Sequence, residues 1–196
     1  MGLSIHYSGK IASPDLLPGL IEEIEDIAKV YSWKYTVYER HFPDNTFGKP
    51  EYNQNSYGIC FTPHECETIS IMFLSNGRMS DDLHLKFFGK TKTRAESEYL
   101  YMLSVKTQFA GVMVHQFIIQ LFRYLNKKYF TDFTMKDESG FWETNDEAVL
   151  KSNFKKYNEL IDGLVSAIEF FPVQSGETIE TYLERLLKQI NDKKKL

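Results

Sequence analysis

The chain has 196 residues, 42% hydrophobic and 15% aromatic, enough to bury a sizeable core and far from the composition of a disordered segment. A formal charge of −4 and a pI near 5.8 leave no broad basic face for a phosphate backbone, which excludes nucleic acid as the expected partner. No run reaches the ~20 apolar residues of a membrane helix and the start has no secretory pattern, so the expectation is a cytoplasmic chain, off the membrane, with Cys60 and Cys66 reduced.

In chain order, Leu3, Ile5 and Tyr7 alternate with Ser4, His6 and Ser8, a period-two pattern that predicts a strand ending at Gly9. Leu17, Leu20, Ile21, Ile24, Ile27, Ala28 and Tyr31 then recur at helical spacing. Pro18 lacks the amide proton that a helix interior needs, so this helix is expected from Leu17 or Pro18. Residues 34–42 read as a second strand, followed by a polar loop. Four more strands are predicted at Tyr57–Thr62, Thr68–Leu74, Leu83–Phe88 and Tyr99–Val105. Asn76-Gly77 is a hairpin signal, so these runs are expected to form an antiparallel meander, with Lys90–Glu98 as an exposed excursion.

Between Val112 and Leu125 only His115, Gln116, Gln120 and Arg123 are polar, so the helix over this stretch is expected to be wrapped by other elements. A last strand, Phe130–Lys136, precedes the run DESGFWETND. Thr144 with Glu147 three residues on predicts a capping box that opens a helix to Phe171, closed by Pro172. A final helix is expected from Glu177 to about Asn191. Strands that mostly precede helices indicate the α+β class. The expected fold is a mostly antiparallel sheet of six to seven strands, a long buried central helix and a C-terminal helix pair. One domain spanning 1–196 is expected, with 144–196 as a helical hairpin that is either integral or appended.

The acidic loop 137–147 is the most unusual stretch: Asp137, Glu138, Glu143, Asp146 and Glu147, no base, and Phe141 and Trp142 among them. Carboxylates there suit acid–base work or a divalent cation, and capping of a helix start explains the same composition. The EF-hand spacing is absent. His115 inside the apolar helix is a general-base candidate, although a core histidine is the simpler reading, and Gln116 and Ile119 rule out the H-E-x-x-H zinc motif. Lys106 before the helix is a candidate for balancing an anion, with Thr107 expected as a simple N-cap, and Trp142 is a candidate pocket wall. Cys60, His64 and Cys66 lack the paired spacing of a zinc site, so no metal and no cofactor are predicted.

The run KTQFAG at residues 106–111 and the run DESGFWETND at residues 137–146 resemble an uncharacterised bacterial α+β protein family. The resemblance covers a short part of the chain; it implies a bacterial cytosolic origin and attaches no chemistry to any residue. Two functions follow from the residues. The first is a non-enzymatic binding or protein-interaction module, with an unknown protein partner or a homodimer through the stripe Leu150, Phe154, Tyr157, Ile161, Leu164, Ile168 and Phe171. The alternative is a small enzyme or ligand-binding protein, metal-dependent or not, whose acidic pocket joins the 137–147 loop to the central helix. His115, Asp137, Glu138 and Glu143 are then its catalytic candidates, and Lys106 and Trp142 its ligand-binding candidates.

Overall fold

The alternation at the start of the chain becomes a central strand. In the computed structural model, which describes residues 3–91 and 94–193, β1 runs Ser4–Ile11, buries Ile5, Tyr7 and Ile11, and turns His6 and Ser8 outward. It passes the expected end at Gly9 because a bulge between Ser8 and Lys10 interrupts the pairing without ending it. A 3-10 turn at Pro14–Leu16 leads into α1, Leu17–Val30, whose start agrees with the limit set by Pro18: proline in a first turn has no hydrogen bond to lose. Leu17, Leu20, Ile21, Ile24 and Ala28 form its buried stripe, and it lies against β2, Lys34–Val37, and β3, Tyr57–Thr62.

β2 is shorter than residues 34–42. Its ladder ends where Gly58 of β3 takes φ +124°, a conformation in which a Cβ would stand 2.3 Å from the Ile71 carbonyl oxygen. β4, Ile69–Phe73, completes a three-stranded antiparallel sheet in the order β2-β3-β4. The turn at Asn76-Gly77 is present, with Gly77 at φ +82° and its amide donating to Leu74, but no long strand follows it.

Leu83–Phe88, expected as a strand, lies in a helix, α2, Asp82–Phe88. The carboxylate of Asp81 accepts the His84 amide at 2.8 Å and caps it, and only Leu85 is buried, while Leu83 and Phe87 are 65% and 68% exposed. Tyr99–Val105 is likewise not one strand. Helix α3, Arg94–Tyr99, precedes a short β5, Leu103–Lys106. Of the predicted excursion Lys90–Glu98, residues 92 and 93 lie outside the described residues, and its second half belongs to α3.

α4, Gly111–Tyr129, buries His115, Ile118, Ile119, Leu121, Phe122, Leu125 and Tyr129 on one side. Met113 is 84% exposed and Tyr124 also faces out, so α4 is covered on one face rather than wrapped. β6, Phe130–Asp137, pairs with β1 opposite β5, giving a second three-stranded antiparallel sheet, β5-β1-β6. The predicted single sheet of six to seven strands is thus two sheets, because β1 pairs with segments a hundred or more residues downstream rather than with its sequence neighbours. Tyr7 joins them: its hydroxyl donates to the Ser70 carbonyl at 2.9 Å and accepts the Ser70 amide at 3.2 Å.

A one-turn helix, α5, Phe141–Thr144, follows β6. α6, Glu147–Phe170, and α7, Ile179–Lys193, complete the chain. Asp146, not Thr144, caps α6, accepting the Ala148 amide at 2.7 Å; Thr144 belongs to the preceding turn, where its hydroxyl donates to the Gly140 carbonyl. The chain divides into two compact units, one running to Phe154 and one from Lys155. In the second, Ala167 and Phe171 of the first helix and its exit pack on Tyr182 and Leu186 of α7. Arg185 clamps Glu177 with two 2.8 Å hydrogen bonds across the connection. Among the described residues, no helix is long and apolar enough to cross a membrane.

Candidate functional site

The end of β6 and the start of α4 bring together the residue types that sequence reasoning singled out. Asp137 closes the strand, and Gly140, at φ +75°, turns the chain back so that the amides of α5 face the Asp137 carboxylate. One oxygen, Oδ2, accepts the amides of Phe141 and Trp142, each at 3.0 Å, and the Ser139 hydroxyl at 2.7 Å; Oδ1 accepts the Ser139 amide at 2.8 Å. His115 Nε2 lies 3.2 Å from Oδ1 and 2.8 Å from Ser139 Oγ, and Nδ1 lies 2.7 Å from Thr107 Oγ1. Burial pushes the Asp137 carboxyl up, but the hydrogen bonds from His115 and Ser139 and the charge of the imidazole outweigh it and hold the pKa at about 2.

Asp, His and Ser in contact suggest a nucleophilic triad, and the geometry argues otherwise. In a triad the nucleophile and the orienting carboxylate sit on opposite ring nitrogens. Here both sit on Nε2, and Nδ1 is taken by Thr107. The side chains of His115 and Asp137 have 0% exposure, Ser139 and Thr107 are fully buried, and the Phe154 ring closes edge-on at 5.3 Å. A substrate has no path to the hydroxyl. What the network does is tie the turn before α4 to α4 itself and to the β6–α5 turn, with every polar group paired.

The other acidic candidates do not join this cluster. Successive strand residues point to opposite faces, so Asp137 faces inward and Glu138 outward. Glu138 accepts the Ser4 amide at 2.9 Å and lies 3.3 Å from His6 Nε2 on the exposed face. Glu143 is exposed and accepts the Asp137 amide at 3.2 Å, an end-of-strand cap. Lys106 terminates β5, and its amide donates to Glu67 at 2.7 Å. Thr107, expected as an N-cap, makes no cap hydrogen bond because its hydroxyl is committed to His115. Trp142 packs edge-on against Phe133 and lies beside the Arg123 guanidinium, which donates to the carbonyls of Phe141 and Trp142 and to the Asn145 side chain. It pads α5 rather than walling a pocket.

Sequence reasoning missed Ser139 and Arg123. For Ser139 the signal is the run Asp-x-Ser-Gly, in which an aspartate bonds the amide two residues on. Arg123 is two turns of helix beyond His115 and so leaves α4 near the same face. Cys60 and Cys66 are free thiols; burial pushes both up, Cys66 to about 12 with the charge of Glu67 adding to it, which disfavours the reactive thiolate. Among the described residues, no three His, Cys, Asp or Glu side chains are placed to hold a metal ion.

One open concavity, of about 560 Å³, lies elsewhere on the first unit, lined by Lys10, Lys49, Arg78, Tyr101 and Asp132 among others. The Arg78 guanidinium stands 3.3 Å above the Tyr101 ring, and buried Asn76 braces both, donating to the Tyr101 hydroxyl and accepting the Arg78 amide. No protein-family model, curated protein or solved structure matches the chain.

Proposed function

We propose that this chain is a non-enzymatic protein-interaction module whose contact surface is the α6–α7 hairpin of the second unit. The observation that carries the reading is the apolar side of that hairpin: Leu164, Val165 and Ile168 of α6 and Ile179, Leu183 and Leu187 of α7 are all between 42% and 79% exposed. Isolated exposed hydrophobics are ordinary, but a contiguous set on two neighbouring helices marks a surface that something covers. The sealed His115–Asp137–Ser139 network supports the same reading, because it holds the scaffold and leaves no accessible nucleophile or base.

The test is the double substitution Leu164→Glu/Leu183→Glu, followed by urea unfolding at about 1 μM. If the face is open to solvent, two surface carboxylates change stability by less than about 1 kcal/mol. If the chain covers the face itself, two buried unpaired charges cost several kcal/mol, and the reading falls.

Ligand binding is a second reading, favoured by the concavity over Tyr101. Lys49 and Arg78 line it and, among the described residues, form no ion pair with a carboxylate, while Lys10 is paired at 2.9 Å with Asp132. Such a site suits a small phosphate- or carboxylate-bearing molecule. Calorimetric titration with inorganic phosphate and with a nucleoside monophosphate tests it. Binding that Arg78→Met weakens about tenfold supports the site, and no heat at millimolar ligand removes it.

A further inference from the structure

We infer that the concavity over Tyr101 binds a sugar phosphate, a phosphomonoester whose remaining body carries hydroxyl groups. The inference rests on the ligand-binding reading of that concavity and names the class of ligand; it does not depend on the hairpin face.

One buried side chain and one bulge assemble the site. Asn76 is 3% exposed and ties three segments together. Its backbone carbonyl accepts the Gly48 amide at 3.1 Å, its side-chain amide donates to the Tyr101 hydroxyl at 3.3 Å, and its side-chain oxygen accepts the Arg78 amide at 3.1 Å. Lys49, Tyr101 and Arg78 are thus in place before a ligand arrives. On the β1 side, the pairing with β6 slips between Ser8 and Lys10, and Asp132 takes φ +50°, a conformation that aspartate tolerates better than most residues. Its Oδ2 meets Lys10 Nζ at 2.9 Å. Lys10 and Arg78 themselves face each other across an antiparallel bridge. The Ile11 amide donates to the Gly77 carbonyl and the Met79 amide to the Gly9 carbonyl, so the two cations form a non-hydrogen-bonded pair, the kind that brings cross-strand side chains closest. Like charges so placed repel, and an anion between them turns the repulsion into attraction.

Charge selects the anion. Among the described residues that line the concavity, Lys10, Lys49 and Arg78 stand against Asp132 alone, an excess of two positive charges. A phosphomonoester, whose second pKa is about 6, brings two negative charges at neutral pH, whereas a carboxylate brings one. With its carbon 3.3 Å from the centre of the Tyr101 ring, the Arg78 guanidinium keeps its N–H donors for phosphate oxygens. The same contact argues against a nucleotide. Tyr101 is the one aromatic residue among the described lining, and the ring on which a base would stack already carries Arg78. What is left for the body of the ligand is polar: the Ser8 hydroxyl, and Asp132 Oδ1, which the bond to Lys10 leaves to accept a hydrogen bond. Such groups recognise hydroxyls, the groups a sugar presents.

The experiment is calorimetric titration of the full chain near neutral pH and at low salt, with glucose 6-phosphate, inorganic phosphate, AMP, glucose and gluconate as probes. Glucose 6-phosphate is expected to bind about tenfold more tightly than inorganic phosphate, the worth of one added hydrogen bond to a charged group. It is also expected to bind more tightly than AMP, and glucose and gluconate are expected to give no heat at millimolar concentration. Arg78→Met and Lys49→Met should each weaken glucose 6-phosphate and inorganic phosphate alike. Asp132→Asn should strengthen inorganic phosphate, because it releases Lys10, and should shrink the preference for glucose 6-phosphate. All three side chains are on the surface, so each variant is expected to keep the wild-type midpoint in urea unfolding. Equal affinity for glucose 6-phosphate and inorganic phosphate, tighter binding of AMP, or a preference that survives Asp132→Asn overturns the sugar phosphate and leaves a bare anion site. Gluconate binding as tightly as glucose 6-phosphate overturns the phosphate and leaves the ligand-binding reading. No heat from either phosphate ester or from inorganic phosphate at millimolar concentration overturns that reading and the inference together.

Discussion

Replacing Asp137 with asparagine tests whether the buried cluster is a structural anchor. The carboxylate accepts four hydrogen bonds, from the amides of Ser139, Phe141 and Trp142 and the hydroxyl of Ser139, and faces His115 Nε2 at 3.2 Å. Asparagine has one acceptor oxygen in place of two. If that oxygen keeps the α5 amides, its NH2 group is aimed at the Ser139 amide, donor against donor, and the charge opposite the ring is gone. Leaving the buried Ser139 amide without its acceptor and removing the charge that the other buried donors face costs about 3–5 kcal/mol. For a chain of this size that corresponds to a fall in Tm of roughly 10 °C or more. Both tryptophans, Trp33 and Trp142, lie in the unit that runs to Phe154, so urea unfolding followed by fluorescence reports on it directly. The pH dependence gives a second readout. The Asp137 carboxyl is depressed from 3.8 to about 2, so its stabilisation is complete above pH ~4 and is lost as pH falls through about 2. At 1.36 kcal/mol per unit it amounts to about 2–3 kcal/mol. The asparagine variant is expected to lack that part of the acid transition. A loss below about 1 kcal/mol, with the acid limb unchanged, would refute the anchoring role.

Three further outcomes follow from local geometry. Asp146→Ala is expected to cost about 1 kcal/mol through loss of the α6 cap and Glu147→Ala clearly less; the reverse order in urea unfolding would restore the Thr144–Glu147 capping box. The hydrogen bond that His84 donates to Asp81 raises the His84 pKa above 6.5 against the opposing effect of burial, so its contribution is full below pH 6.5 and lost as pH rises through the folded-state value. An NMR titration of His84 should show a raised midpoint that falls back in Asp81→Asn; an unshifted midpoint in the wild type contradicts the pairing. Cys66 and Cys60 should react with a thiol reagent at pH 7 many-fold more slowly in the native chain than in urea, and equal rates would contradict their burial.

The parts of the fold that periodicity governs were readable from the residues. The stripe of α1 and the alternation of β1 each state which side is buried, and both elements formed; the last two helices formed as well, but Leu164, Ile168, Ile179, Leu183 and Leu187 of their apolar stripes are exposed. Leu83, Leu85 and Phe87 show where periodicity misleads: they alternate like a strand, yet the short helix is decided by one cap, Asp81 on the His84 amide. The division into two sheets was not readable, because strand pairing over a hundred or more residues leaves no mark in either partner's local pattern. At the candidate site the types and rough places of His115 and Asp137 were visible. Their closure was not, since it depends on Thr107, Ser139 and Phe154 arriving from three other segments. The opposite facing of Asp137 and Glu138 does follow from strand geometry alone, and it dissolves the acidic pocket.

The central claim, that this chain works through the hairpin face and not through its buried histidine, is tested most directly by carbene footprinting of the dilute native chain. Leu164, Ile168 and Leu183 should label heavily while His115 stays unlabelled. Labelling of His115, or protection of the three hydrophobic residues, would contradict the account.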